Sequence, residues 1–254
     1  MTLTDVTAHA PSNISPDEWE VRVDLAACYR LAALNGWDDS TATHISARVP
    51  GEEAFLINPY GLFFEEITAS CLIKIDLHGR ILSPTPHAIN QAGFVVHSAV
   101  HEVRDDAGCV IHLHTNDGVA VSCLAEGLLP LNQTAMLVSK HVAYHDYEGV
   151  AVDLDERARL GADLGASNYL ILRNHGTLTV GRTVAEAFTR MYLMERACAI
   201  QIKVLSTGRP VKAVAPEAFQ RTSDIGARIG DDDADRAWAA NRRRLDRITT
   251  DYQD

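Results

Sequence analysis

From Trp19 to Asn35 apolar residues recur with a helical period, through Val23, Ala26, Ala27 and Leu34, so the spacing predicts a helix with one buried face. Ser15-Pro16-Asp17-Glu18 marks its start: a serine to cap free N–H groups, a proline suited to the first turn, and two acids near the positive helix end. Gly36 ends it. Residues 44–49 and 54–58 read as strands joined by a turn at Pro50-Gly51. A third strand is expected over 72–76, then a His78-Gly79 turn into Ile81-Leu82 and a rigid Ser83-Pro84-Thr85-Pro86 connector. Helical spacing returns over 90–104, through Phe94, Val95, Ser98 and Ala99. Residues 109–114 form a strand, 117–124 a short helix, and 143–147 lie near another extended stretch. A charged amphipathic helix over 154–164 precedes a short apolar strand over 169–173. Thr183 opens a long helix to residue 205, whose buried face carries Leu193, Ala197, Ile200 and Val204.

Strands alternate irregularly with helices, which predicts an α/β sandwich on a mixed sheet instead of a regular βαβ array. No repeat, low-complexity stretch or linker divides the chain. The expected organisation is a mobile segment over 1–15, rich in Thr, Ser, Asn and Pro, then a single domain over 16–254 with a more polar extension from about residue 210. Asp231-Asp232-Asp233 in that extension reads as a helix start or loop cluster, and Arg242-Arg243-Arg244 as a solvated helix face.

The 254 residues are enough to bury a proper core, and 46% hydrophobic with 22% charged residues is ordinary for a globular chain. The formal charge of −11 gives no basic face for nucleic acid. No stretch reaches the ~20 apolar residues that span a bilayer, and the N-terminus lacks an apolar signal core. The five cysteines are odd in number, have no CxxC spacing and sit mostly among apolar neighbours, as reduced core thiols do. A cytoplasmic protein follows as the expectation, with a small-molecule substrate and neither nucleic acid nor membrane as partner.

The sharpest chemical signal is Val110-Ile111-His112-Leu113-His114-Thr115. Residues two apart on a strand share a side, so His112 and His114 project together while Ile111 and Leu113 face the other layer. The third candidate ligand is His175, in Arg173-Asn174-His175-Gly176 directly after a strand. Gly176 is expected to let the backbone turn sharply and approach a ligand. Three imidazoles with an open position suit a catalytic divalent metal. Zinc is the leading choice, with iron or manganese as alternatives; imidazole alone does not select the ion.

Four segments, in order, carry a family likeness: Thr43-His44-Ile45-Ser46-Ala47-Arg48, Ile57-Asn58-Pro59-Tyr60-Gly61, the His112–His114 strand, and Arg173-Asn174-His175-Gly176-Thr177-Leu178. Together they resemble the class II aldolase/adducin family over roughly residues 17–208. Gly118-Val119-Ala120-Val121-Ser122 and Val142-Ala143-Tyr144-His145-Asp146-Tyr147-Glu148-Gly149 resemble its adducin-like branch. The resemblance implies a three-layer α/β/α sandwich on a mixed, largely antiparallel sheet. It also implies a homotetramer with sites near subunit interfaces, and a metal held by His112, His114 and His175. In this family a tyrosine from a neighbouring subunit can act as proton donor, and Tyr144 is the candidate here.

The chain departs from the family's aldolases at one telling position. They carry a glutamate nineteen positions before the first metal histidine, as metal neighbour and base; here Gly93 stands there. His97, one helical turn on, is the candidate catalytic substitute. The phosphate loops also differ. Thr43-His44, Tyr60-Gly61 and Gln91-Ala92 bring bulkier groups where those aldolases use small donors. The expected substrate is therefore a non-phosphorylated hydroxy or keto acid. A metal-dependent carbon–carbon lyase, of decarboxylase or aldolase type working through a metal-stabilised enolate, is the first expectation. Decarboxylation is favoured because it needs no base to remove a carbon-bound proton. The alternatives are an iron-dependent oxygenase on the same scaffold and a non-catalytic adducin-like oligomerisation module.

Overall fold

The structure is a computed structural model that describes residues 11, 13–228 and 232–254. Most of the expected mobile segment over 1–15 lies outside those residues, as does Asp231 of the acidic cluster, while Asp232 and Asp233 stand at a helix start, one of the two readings given above. Helix α1 (Pro16–Leu34) starts as predicted: the Ser15 side chain accepts from the Glu18 N–H, and Pro16 opens the first turn. Strands β1 (His44–Arg48), β2 (Ala54–Ile57) and β3 (Ile73–Asp76) follow, then α2 (Gln91–Val103), β4 (Cys109–Leu113), α3 (Asn116–Ser122) and α4 (Gln133–Val138). Next come β5 (Val142–His145), α5 (Glu156–Leu164), β6 (Tyr169–Leu172), β7 (Gly176–Gly181), α6 (Val184–Leu205), α7 (Pro216–Gly226) and α8 (Asp232–Asp246).

The seven strands form one sheet in the order β3-β2-β1-β4-β7-β6-β5. Every pairing is antiparallel except β5 with β6. Side-chain alternation divides the strands between two layers. Ile45, Ala47, Leu56, Ile111 and Leu113 pack with residues of α1, α6 and α8. Phe55, Ile57, Val110, Leu170, Leu172, Leu178 and Val180 pack with α2 and α5. The expected α/β/α sandwich on a mixed, largely antiparallel sheet is thus observed.

Three elements went unpredicted. Strand β7 has an alternating Thr177-Leu178-Thr179-Val180 pattern, yet all six of its residues are buried. The short α4 is an apolar run, Ala135-Met136-Leu137-Val138, of barely more than one turn and so shows no period, and the exposed α7 carries few apolar positions. Ile81, expected to extend a hairpin, forms only an isolated bridge with Ile75.

The arginine run is not wholly a solvated face. On α8, Ala234, Trp238 and Leu245 point into the core, and Arg242 falls on that same stripe at helical spacing. Its guanidinium pairs with Asp24 and donates to the Tyr252 hydroxyl at 2.9 Å. The end of the chain is pinned nearby, because Ala69 and Ser70 N–H groups donate to the Tyr252 and Asp254 carbonyls.

Candidate metal centre

His112 and His114 leave β4 on the same side, as strand geometry requires. His175 arrives from the bend between β6 and β7. The ligand-type nitrogens of the three lie within 4.8 Å of one another. His112 Nε2 is 2.9 Å from His114 Nε2 and 3.3 Å from His175 Nε2.

The bend differs in detail from the expectation. Asn174, with φ of 55°, is the residue that turns the backbone, and asparagine tolerates the left-handed region better than most side chains. Gly176 serves another purpose: a Cβ there would sit 2.4 Å from the Leu113 carbonyl oxygen. The glycine lets β7 close against β4, and this brings His175 to His112.

Hydrogen bonds on the far side of the rings settle which nitrogens face inward. His112 Nδ1 lies 3.0 Å from the Thr177 carbonyl oxygen. A carbonyl only accepts, so Nδ1 carries the proton and Nε2 the lone pair. Asp39 does the same for His114, its carboxylate 3.2 Å from Nδ1. Two lone pairs are thereby turned toward each other, which is repulsive without a cation between them. Such outer hydrogen bonds also orient the imidazoles of metal sites. Burial holds His112 well below the ordinary imidazole range, and burial with the neighbouring His114 lowers His175 to about 4. All three rings are therefore neutral near pH 7. Their donor set fits a divalent cation such as zinc.

Glu195 on α6 ties the two supporting segments together. It accepts from the Thr115 hydroxyl and, at 2.7 Å, from the Thr177 hydroxyl. Thr115 follows His114, and the Thr177 carbonyl orients His112.

Gly93 opens the first turns of α2, and the neighbouring space is taken by His44. A Cβ on Gly93 would meet the His44 ring at 2.6 Å. The antiparallel register pairs His44 with His112, so their rings lie side by side, with centroids 5.2 Å apart. Gly93→Ala is expected to lower stability by ~1–3 kcal/mol, the usual cost of overpacking. Urea unfolding measures it, and an unchanged midpoint would mean that the His44 ring yields freely.

His97 does not join the imidazole trio. It is fully buried and sits between His44, at 2.9 Å, and the Ser46 hydroxyl, at 2.5 Å. Tyr144 lies on β5, packed against an apolar cluster that includes Val121, Leu128, Ile171 and Met194. Its hydroxyl accepts from the Leu128 N–H at 3.1 Å, and the Arg173 guanidinium lies 4.2 Å over its ring. The sequence placed His44 only as a bulky replacement in a phosphate loop and gave no role to Ser46 or Asp39. The single available signal was a histidine placed two positions before a serine on a predicted strand. Burial pushes the Cys28 and Cys109 thiols well up, in keeping with core packing.

The sequence profile of the family described as Class II Aldolase and Adducin N-terminal domain matches residues 23–202. A Caulobacter vibrioides protein assigned provisionally to the class 2 aldolases is 54% identical over 251 residues, covering 98% of this chain and 97% of its own. Alpha-adducin from Rattus norvegicus is 47% identical over 195 residues; the match takes in 75% of this chain and 26% of the adducin. Among solved structures, an aldolase II superfamily protein from Pseudomonas syringae superposes with a TM-score of 0.92 at 50% identity. That match covers 95% of this chain and 98% of the other.

Proposed function

Because the chain belongs to the class II aldolase and adducin family, we propose that it is a metal-dependent carbon–carbon lyase, of decarboxylase or aldolase type. The proposed substrate is a non-phosphorylated hydroxy or keto acid. The carrying observation is the trio of neutral imidazoles, His112, His114 and His175, with two ring nitrogens turned inward by Thr177 and Asp39. A bound divalent cation, zinc in the first place, would supply Lewis acidity toward a substrate carbonyl oxygen. The chain's own part is to hold three neutral donors in place, to keep Thr115 and Thr177 joined through Glu195, and to exclude water from the His112 side of the site.

The start of α2 supports a substrate without phosphate. A helix N-terminus offers anions its free N–H groups. Here the Asn90 side chain already accepts from the Ala92 and Gly93 N–H groups, at 3.0 and 3.5 Å. A carboxylate makes a smaller demand on such donors than a phosphate does. Tyr144 remains the proposed proton donor to a neighbouring subunit's site, and the proposed assembly is a homotetramer. Exposed Tyr147, Val150, Val152 and Leu154 form an apolar run that such an assembly would cover. No helix among the described residues is long and apolar enough to cross a membrane.

The test is to load the protein with zinc, iron or manganese and offer a panel of hydroxy and keto acids. Released carbon dioxide and aldehyde are measured alongside oxygen uptake. Carbon dioxide or aldehyde release that stops on chelation is the expected result. Oxygen uptake with iron would move the reading to an oxygenase. A protein that takes no metal, and whose oligomer ignores chelator, would be an adducin-like assembly module instead.

A further inference from the structure

A row of buried hydrogen bonds runs from β1 into α2 beside the candidate centre, and its polarity can be read from one end. His101 Nδ1 lies 3.1 Å from the Ala107 carbonyl oxygen. The carbonyl accepts only, so His101 carries its proton on Nδ1 and presents a lone pair at Nε2. Ser46 Oγ is 2.8 Å from that Nε2 and must donate to it. The Ser46 oxygen is then free to accept, and His97 Nδ1, 2.5 Å away, supplies the proton. His97 Nε2 is left as an acceptor, and His44 Nδ1 donates to it at 2.9 Å. Each step follows from the one before, provided the three imidazoles are neutral. Burial makes them so: all four side chains are at most 3% exposed, and His97 and His101 are lowered to about 3.

At the open end stands His44 Nε2, without a proton and without a hydrogen-bond partner among the described residues. It faces the place where position 93 has no side chain; a Cβ there would be 3.0 Å from it. The ring lies beside His112, tilted by 33°. A carbonyl more than sixty residues along the chain thus sets the protonation of an atom next to the imidazole trio.

We propose that His44 is the proton acceptor of this site, with Nε2 as the accepting atom and with His97, Ser46 and His101 as positioning residues that keep that atom bare. A substrate O–H or C–H gives its proton to Nε2, and the bonding pair stays on the substrate oxygen or carbon. His44 becomes an imidazolium whose Nδ1–H still donates to His97, and because burial disfavours that charge the proton is held only in passing. The proton returns to the product, so the cycle closes with no co-reactant. General base catalysis needs an acceptor within hydrogen-bond reach, and an imidazole locked in one tautomer meets that need without a search for the right form. The inference deepens the lyase reading and takes its substrate class from it, while the tautomer stands independently.

The experiment uses the full chain labelled with nitrogen-15 in its histidine rings, zinc-free and zinc-loaded, at neutral pH. His44, His97 and His101 are expected to be protonated on Nδ1 and bare on Nε2 in both states. A proton on His44 Nε2 overturns the proposal, whatever the metal result. Ser46→Ala is expected to leave His44 as a mixture of tautomers, and Ser46→Thr, which keeps the hydroxyl, to restore one form. An unchanged single tautomer in Ser46→Ala removes the positioning role. The second measurement titrates acetohydroxamate, a chelator with an N–H to donate, into the zinc-loaded protein. His44→Asn keeps a donor for His97 at the Nδ1 place and deletes Nε2. It should weaken acetohydroxamate about tenfold, the value of one good hydrogen bond, with zinc retained. Equal affinity, or loss of zinc from His44→Asn, overturns the proposal. Failure of the unmodified protein to bind zinc would instead strike the lyase reading, and the tautomer measurement on the zinc-free chain would still decide this one.

Discussion

Replacing His112 and His114 together with alanine is expected to abolish metal uptake and, with it, any carbon dioxide or aldehyde release. Two of the three ligand-type nitrogens disappear, and His175 alone cannot enclose a cation. The size of the effect follows from a comparison. Loss of one outer partner of a metal-bound histidine costs about 10–100-fold in affinity or activity, so loss of two ligands should exceed about a thousandfold. Asp39→Asn gives the smaller reference. It leaves all three imidazoles but weakens the acceptor 3.2 Å from His114 Nδ1, and about tenfold weaker zinc binding is expected. Elemental analysis and competition with a chromogenic chelator read both variants. Circular dichroism in chelator shows that each is folded. Full activity and unchanged zinc content in the double variant would end the case for a centre at this trio.

Acidification is expected to unfold the protein in a range where most proteins still hold. Burial, with the charge of His101 beside it, lowers His97 to about 3, and burial with Arg48 does the same to His101. In the unfolded chain both titrate near the ordinary 6.5. Their folded values are depressed, so their stabilising contribution is complete above about pH 6.5. It is lost progressively as pH falls toward about 3, because the unfolded chain binds two protons that the folded chain refuses. The two residues together tilt stability by as much as about 2.7 kcal/mol per pH unit. Against a typical domain stability of about 5–15 kcal/mol, two pH units suffice for a large loss. His44 and His112, also held well below the usual range by burial, act in the same direction. Carboxylates stay largely ionised above about pH 5, so urea midpoints between pH 6.5 and 5, taken in chelator, isolate the histidines. A flat midpoint across that window would show that the rings already accept protons in the fold. Zinc should shift the whole curve to lower pH, since it binds only the deprotonated ligands.

Much of the frame was legible because its signals are local. Ser15-Pro16-Asp17-Glu18 announces α1 through capping chemistry that involves only neighbours in the chain. The β1 and β2 strands show in short apolar runs around Pro50-Gly51. His112 and His114 declare a shared side by their spacing of two, and His175 shows in a glycine-flanked bend directly after an apolar strand, a candidate the family resemblance then strengthened. Strand β7 was missed for a related reason: its residues are buried, but its threonines satisfy their hydroxyls on α6, Thr177 on Glu195 and Thr179 on the Ala187 carbonyl. Polar residues read as exposed until their partners are known. The inward turn of Arg242 had the same cause, since Asp24 lies 218 positions away.

Local signals along the chain were enough for the α/β class, the start and end of the principal helices, the two strand histidines as a pair, and the missing side chain at Gly93. Each depends on backbone preference or on side-chain period, which a chain carries within a few residues. The folded sheet was needed to show that His44 lies beside His112 and fills the space at Gly93, that His97 faces His44 and Ser46 instead of the trio, and that the Ala107 carbonyl orders the row. Those facts depend on which strand pairs with which and in what register. Register is set by burial of the whole sheet, a cooperative property that no local pattern contains.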